Sequence, residues 1–298
     1  MADVLRPGYG SRDFWPVDKI ILAYAVFSTT LLVTWYSRIP DAGQLLALHA
    51  GAIFLLVFEV KFPNPTSWLF HNWYPVLYVA YCYKEMATLV PAIRGSSADA
   101  WLAGLDFRIW RANPTVWLER IHSPGLSEFL QIAYTLFIPA VLLVCVLLWK
   151  SRRYREFQYY GFLIALGFLI SYVGYLLVPA RGPRFFLKDL QHIPLQGLWG
   201  FDRMQGSLDR LESVAYDCFP SGHTELTLLA LWGSRLVSNR LFKVYFAYTP
   251  ALIFATVYLR YHYTVDVLAG AIVAAALIPS APVLYRKLSK GGCTRGRN

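Results

Sequence analysis

Charge is scarce in this sequence. Of its 298 residues only 15% are Asp, Glu, Lys or Arg, against 56% hydrophobic and 16% aromatic. Such a balance leaves too little polar surface to coat a soluble globule of this length, and it excludes a pair of water-soluble domains. Cysteine is scarce as well. Of the four, Cys82 and Cys145 lie inside apolar runs, Cys218 sits in a polar segment and Cys293 is near the end, so no disulfide framework is expected. The chain has no internal repeat and no low-complexity tract, and only the first residues and the Gly- and Arg-rich end read as disordered. No small-residue cleavage site follows the first apolar run, so residues 20–35 read as a retained anchor and not as a signal peptide.

Long apolar runs are what the chain does have, at 19–35, 45–60, 73–93, 126–149, 157–178, 224–237, 242–259 and 265–284. Most approach the roughly 20 residues a helix needs to cross a bilayer core. The predicted fold class is therefore all-α, a polytopic membrane helical bundle of about eight transmembrane helices. The third run carries Lys84 and Glu85 in its middle. The stretch 98–121 reads as amphipathic and interfacial, with Trp101, Trp110 and Trp117 suited to a headgroup layer.

The net charge of +10 does not point to nucleic acid, because of where it sits. Segments 150–156, 235–243 and 286–298 carry +3, +3 and +5, which leaves −1 for everything else. If the runs cross alternately, these segments share one face, which the positive-inside rule makes cytoplasmic, with both termini there. The longest loop, 179–220, then falls on the extracytoplasmic face. In it Arg181, Arg184, Lys188, Arg203 and Arg210 balance Asp189, Asp202, Asp209, Glu212 and Asp217. It is too long to be a mere connector.

The same topology brings three polar segments together at that face: "VPARGPRFFLK" at 178–188, "FPSGHT" at 219–224 and "RYHYTVD" at 260–266. In the second, Ser221 is a helix N-cap and Gly222 lets backbone approach a ligand, so the free amides of the helix start can face an anion. His223 beside them is placed to protonate a leaving oxygen. In the third, His262 and Asp266 are spaced i, i+4, so the carboxylate can accept one imidazole N–H and leave the other nitrogen as nucleophile or base. Arg184, Arg181, Lys188 and Arg260 offer positive charge to phosphate oxygens. The set looks like a phosphoryl-transfer site.

These motifs, in this order, resemble the type 2 phosphatidic acid phosphatase (PAP2) superfamily of membrane lipid phosphatases. The first half, with "YKEMATLV", "LDFRIW" and "NPTVWLERIHSP", is similar to a bacterial subgroup related to inositol phosphorylceramide synthases. The resemblance implies His262 as nucleophile, Asp266 as its orienting acid, His223 as proton donor, a phosphohistidine intermediate, and no metal or other cofactor. It divides the chain into N-terminal transmembrane helices and an interfacial helix (1–122), a catalytic bundle (123–285) and a basic cytoplasmic tail (286–298). It also implies a prokaryotic inner membrane, with the site on the extracytoplasmic side. Two departures stand out. The family's first motif is a lysine followed by Arg-Pro, matched here by "ARGPRFFLK", and its Ser-Arg before the second histidine is Ala255-Thr256 here, with Arg260 closer in. "SGHT" and "HYTVDV" also match sphingomyelin synthases, whose Cys-Gly-Asp element is absent.

Three functions are therefore weighed: a lipid phosphatase, a phospholipid headgroup transferase, and a noncatalytic anion-binding membrane protein. An oriented His-x-x-x-Asp counts against the last, because anion binding alone needs no oriented base. The expected partners are a lipid phosphate and the bilayer, not nucleic acid. His49, His71, His122 and His192 read as structural or solvated. Glu85 and Asp106 are candidates for a headgroup pocket, with a buried ion pair as the equal alternative, since charge inside a lipid-facing helix needs a cavity or a partner.

Overall fold

The structure is a computed structural model that describes residues 12–211 and 214–290. Cys293 and most of the basic segment 286–298 lie outside these residues, as does Glu212. Among the described residues all regular structure is helical. Pro16–Thr34 (α1), Ala42–Lys61 (α2) and Pro65–Ile93 (α3) come first, followed by the short Asp99–Trp110 (α4) and Pro114–Trp117 (α5). Then come Pro124–Thr135 (α6), Phe137–Lys150 (α7) and Tyr154–Leu177 (α8). A long loop holding Pro183–Phe186 (α9) and Phe201–Leu211 (α10) leads to Gly222–Ser234 (α11), Asn239–Tyr258 (α12) and Thr264–Lys290 (α13).

The helix starts follow local chemistry. Asn64 caps α3, its Oδ1 accepting from the amides of Thr66 at 3.0 Å and Ser67 at 2.9 Å. Ser123, Ser221 and Ser238 accept the amides of Leu126, Thr224 and Leu241 in the same way. The apolar run at 126–149 folds as two helices, α6 and α7, bent by 42°. Pro139 explains the break, because it has no amide to give the carbonyl of Thr135, four residues back, where α6 ends.

Five helices, α1, α2, α8, α12 and α13, are long and apolar enough to cross a membrane, and six spans result if α6 and α7 form one. The sequence led us to expect about eight. Of the remaining two runs, α3 is 29 residues long but carries His71, Asn72, Lys84 and Glu85, and α11 has only 13 residues. The outer surface is apolar, with Val26, Phe54, Leu77, Val244 and Ile272 each more than 60% exposed, as lipid contact requires. One hydrophobic cluster runs from α1 through α3, α7 and α8 to α11, α12 and α13. The interfacial stretch is inverted relative to a soluble helix: Asp99 and Asp106 are buried, whereas Trp101, Trp110 and Trp117 are about half exposed.

Contacts sort the helix ends into two groups. At one end Arg153 reaches the carbonyl of Val237 at 3.5 Å, and Lys19 reaches that of Leu288 at 2.5 Å, which gathers the basic segments. At the other, Arg94 donates to the carbonyl of Leu177 at 2.6 Å, and Ser221 N donates to Asp266 O at 3.0 Å. The starts of α11 and α13 approach so closely here that a Cβ on Gly270 would lie 2.4 Å from the Ser221 carbonyl oxygen. Gly270→Ala is therefore expected to destabilise the bundle by about 1–3 kcal/mol. Gly51→Ala on α2, whose added Cβ meets nothing within 4 Å, should not. Thermal unfolding of both variants in detergent checks the contrast.

Candidate active site

Three chain segments converge where α8 ends and α11 and α13 begin. Cys218 N donates to the carbonyl of Ala180 at 3.3 Å, and Arg184 N donates to that of Arg260 at 2.9 Å. Gly182 sits at φ +89° against the carbonyl of Tyr261, where a Cβ would come within 2.6 Å, so both its backbone angle and its packing call for glycine. Gly222 is likewise confined, a Cβ there lying 2.8 Å from the Tyr175 hydroxyl.

The two histidines meet at the centre. His262 Nε2 lies 3.5 Å from His223 Nδ1, with ring centroids 5.6 Å apart. The other nitrogen of His262, Nδ1, lies 2.9 Å from the carbonyl oxygen of Cys218. A carbonyl only accepts, so Nδ1 carries the hydrogen and Nε2 keeps its lone pair, directed toward His223. The sequence assigned this acceptor role to Asp266. In the structure the carboxylate is 3.7 Å from Nδ1, while its Oδ2 accepts the amide of Tyr263 and the thiol of Cys218, each at 2.8 Å. Asp266 closes the first turn of α13 by reaching back to the residue before the helix, as capping boxes do, and adds negative charge beside the imidazole.

Cys218 Sγ, His262 Nδ1 and Asp266 Oδ2 lie within 4.8 Å of one another, a spacing that could hold a metal ion. Here the same atoms are engaged by hydrogen bonds. Burial, reinforced by the adjacent Asp266, pushes the Cys218 thiol well up, in keeping with its donating to that carboxylate.

His223 is packed between aromatic rings, Tyr134 stacked at 4.4 Å and Phe137 tilted at 4.4 Å. Tyr134 stacks in turn on Tyr261 at 4.3 Å, and the Arg184 guanidinium lies 5.7 Å from the Tyr261 ring. Beside His223 opens a cavity of ≈ 600 Å³, largely apolar in its lining.

Two of the four basic residues that the sequence offered for phosphate are held by acids. Arg184 forms a two-pronged pair with Asp209 of α10, at 2.6 and 2.8 Å. Arg260, in left-handed backbone at φ +68°, sends its guanidinium to Glu119 at 2.8 Å and to the carbonyl of Ile193 at 2.6 Å. Arg181 is exposed with its guanidinium over the Phe185 ring, and Lys188 is exposed on a 3₁₀ turn. Ser221 caps α11 as expected.

Neither pocket candidate stands at the histidines. Glu85 takes the buried-pair alternative, 2.9 Å from His49 Nε2 and accepting from Ser28 at 2.9 Å, among α1, α2 and α3. Its neighbour Lys84 points elsewhere, to the carbonyl of Leu211, as adjacent helical positions about 100° apart require. Asp106 caps α13 from outside, accepting the amides of Thr264 at 2.9 Å and Val265 at 3.0 Å.

Sequence reasoning overlooked several acids that organise the site. Asp99 accepts the amides of Arg181 at 2.8 Å and Gly182 at 2.9 Å, and the hydroxyl of Tyr263 at 2.9 Å, so one carboxylate ties the first and third segments together. Burial and this carboxylate push the Tyr263 phenol up, which keeps it a donor. Glu128 accepts four successive loop amides, from Leu198 to Phe201. For Asp99 the available signal was the acids of the tryptophan-rich stretch 98–121; Glu128, in α6, carried none.

A family model described as the PAP2 superfamily matches residues 99–279. No curated protein and no solved structure gave a match.

Asp99→Asn replaces one acceptor oxygen with a donor that faces backbone donors. It is expected to destabilise the protein by about 1–3 kcal/mol, read as a lower unfolding midpoint in detergent. Leaving the midpoint unchanged would show that Asp99 does not hold the segments together.

Proposed function

Because the chain belongs to the PAP2 superfamily, matched over more than half its length, we propose that it is an integral membrane enzyme cleaving a lipid phosphate or pyrophosphate through a phosphohistidine. The apolar helices and the superfamily together mark a membrane phosphatase-type enzyme. The observation that carries the finer reading is the His223–His262 pair, 3.5 Å between nitrogens, with the lone pair of His262 turned toward its partner.

In this reading the substrate phosphoryl group replaces the direct contact between the two rings, which part to admit it. His262 Nε2 attacks it, the bond to the leaving oxygen breaks, and His223 gives that oxygen its proton. Water then attacks the phosphohistidine, His223 takes back a proton, and inorganic phosphate leaves with His262 restored. Asp266 stabilises the charge that develops on the His262 ring. Arg184, two stacked rings from His223 through Tyr261 and Tyr134 and already shaped around a carboxylate, is the cation we assign to take phosphate oxygens in exchange for Asp209.

The site faces the extracytoplasmic side in this proposal. With α3 and α11 counted among the crossings, eight helices alternate between the two ends, and the basic segments gather opposite the histidines, which supports the positive-inside orientation. A prokaryotic inner membrane is part of the same proposal.

The second reading, a headgroup transferase akin to inositol phosphorylceramide or sphingomyelin synthases, has one observation in its favour. His223 is walled by Tyr134 and Phe137 beside an apolar cavity, surroundings that suit a lipid hydroxyl better than water as acceptor.

Detergent-solubilised protein given dioleoyl phosphatidic acid should release phosphate. His262→Ala should reduce release to background, and His223→Ala should lower kcat by about 10²–10⁴. A labelled phosphoenzyme, stable to base and labile to acid, should form on the wild type and not on His262→Ala. Transfer of the phosphorylated headgroup of a phosphodiester donor to ceramide or diacylglycerol, without phosphate release, would instead establish the transferase.

The roles also set a pH profile. His223 has to be protonated and His262 neutral at the start, so kcat/KM should be bell-shaped in pH. Asp266→Asn should lower kcat more than it changes KM. A flat profile between about pH 5 and 9 with chemistry rate-limiting would remove the acid–base assignment.

A further inference from the structure

The cavity beside His223 goes far deeper than a phosphate needs. Its lining on α3 runs from His71 to Lys84, a length of about 20 Å at 1.5 Å per residue, and on α8 from Phe157 to Tyr175, about 27 Å. One leaflet of a bilayer core offers only about 15 Å. The wall between is apolar, with Val79, Val141, Ala165 and Phe168 among its side chains. At the far end the lining turns polar: Trp15 stacks on His71 at 3.8 Å, His71 pairs with the Asp18 carboxylate at 2.9 Å, and Gln158 donates to Asn72 at 3.2 Å. Helix α3, which supplies one wall, lies outside the segment matched by the family model.

From this geometry we infer that the cavity is the binding site for one extended apolar chain of the phosphorylated substrate, and that the floor at Trp15, His71 and Asn72 sets the chain length it accepts. The inference rests on the proposed phosphatase or transferase reading, which puts the phosphate at His223. An alkyl chain anchored there has a dry path within the protein, down between α3, α7 and α8. Each methylene that enters gains from leaving the mouth, whereas pushing the chain end against the hydrogen-bonded floor would strip polar groups without replacing their partners. The substrate class is thus a phosphate ester or pyrophosphate whose apolar chain reaches past the middle of the bilayer.

Gly161 tests the inference. It lines the deep part of the cavity, and an added Cβ meets no atom within 4 Å, so a larger side chain can enter the space without displacing the wall. Gly161→Phe is expected to lower kcat/KM for dioleoyl phosphatidic acid about tenfold relative to dioctanoyl phosphatidic acid. Gly51→Phe, on the lipid-facing α2, should leave the ratio alone.

A second measurement does not depend on turnover. A long single-chain alkyl phosphate bearing a diazirine at its chain end should label peptides containing Trp15, His71 or Gln158 on illumination. Gly161→Phe should abolish that labelling, and the matching alkyl alcohol should give much less of it. An unchanged chain-length ratio in Gly161→Phe, labelling confined to outer helix surfaces, or equal labelling by the alcohol would each overturn the inference. If no phosphate ester is turned over by the wild type but the floor is still labelled by the alkyl phosphate, the chain site stands and the catalytic reading fails.

Discussion

An imidazole is a nucleophile toward phosphorus only while one nitrogen keeps its lone pair and points it at the reacting atom. In this protein that condition depends on the short contact between His262 Nδ1 and the carbonyl oxygen of Cys218. A backbone carbonyl cannot donate, so it selects one tautomer as strictly as a carboxylate does, without adding a full charge next to the ring. The carbonyl is in turn held by its surroundings. Cys218 N bonds to Ala180, its thiol bonds to Asp266, and the next segment is pulled onto α13 by the bond from Ser221 to the Asp266 carbonyl. The geometry of the histidine pair is therefore a property of three chain segments, and loosening any one of them changes the orientation of the ring.

The acids of the interfacial region do most of this fastening. Asp99, Asp106 and Glu128 each accept two or more backbone amides from another segment, and Glu119 and Asp209 hold the guanidinium groups of Arg260 and Arg184. In a bundle whose exterior is lipid, loop amides away from water must find partners within the protein, and a carboxylate satisfies several at once. The consequence is that Arg184 and Arg260 are already engaged by carboxylates. Arg184 has a carboxylate in its fork, so anion binding there is an exchange of one oxyanion for another.

The site and the cavity form one path from the polar end of the bundle into its apolar interior. His223 belongs to both, with Tyr134 and Phe137 against its ring and the cavity beside it. The helices before the family segment are part of this path, since α3 forms a wall and Trp15 and His71 form the floor. The buried pair of Glu85 with His49, and that of Asp18 with His71, keep α1, α2 and α3 in register, which is how charges far from the histidines shape the cavity.

Much of this was legible in the sequence, for local reasons. Apolar runs mark helices that must hide their backbone from lipid, so the all-helical class follows from composition. The i, i+4 spacing of His262 and Asp266 and the serine before Gly222 place those side chains at helix starts whatever the rest of the chain does. Asp266 was expected to be the acceptor for His262 because a four-residue spacing brings the two together on an ideal helix. His262, however, lies before α13 begins, in non-helical backbone, and a carbonyl from another segment is closer. For Glu85 and Asp106 the sequence left a headgroup pocket and a buried pair as equal alternatives, because their partners, the ring of His49 and the amides of Thr264 and Val265, are distant in sequence and follow no periodicity. The chain by itself determined which residues could do phosphoryl chemistry and that they would sit at helix ends. Only the tertiary structure decided which acceptor takes the His262 proton, which acids occupy the arginines and how deep the cavity runs, because each depends on backbone groups that packing, not spacing, brings within hydrogen-bond reach.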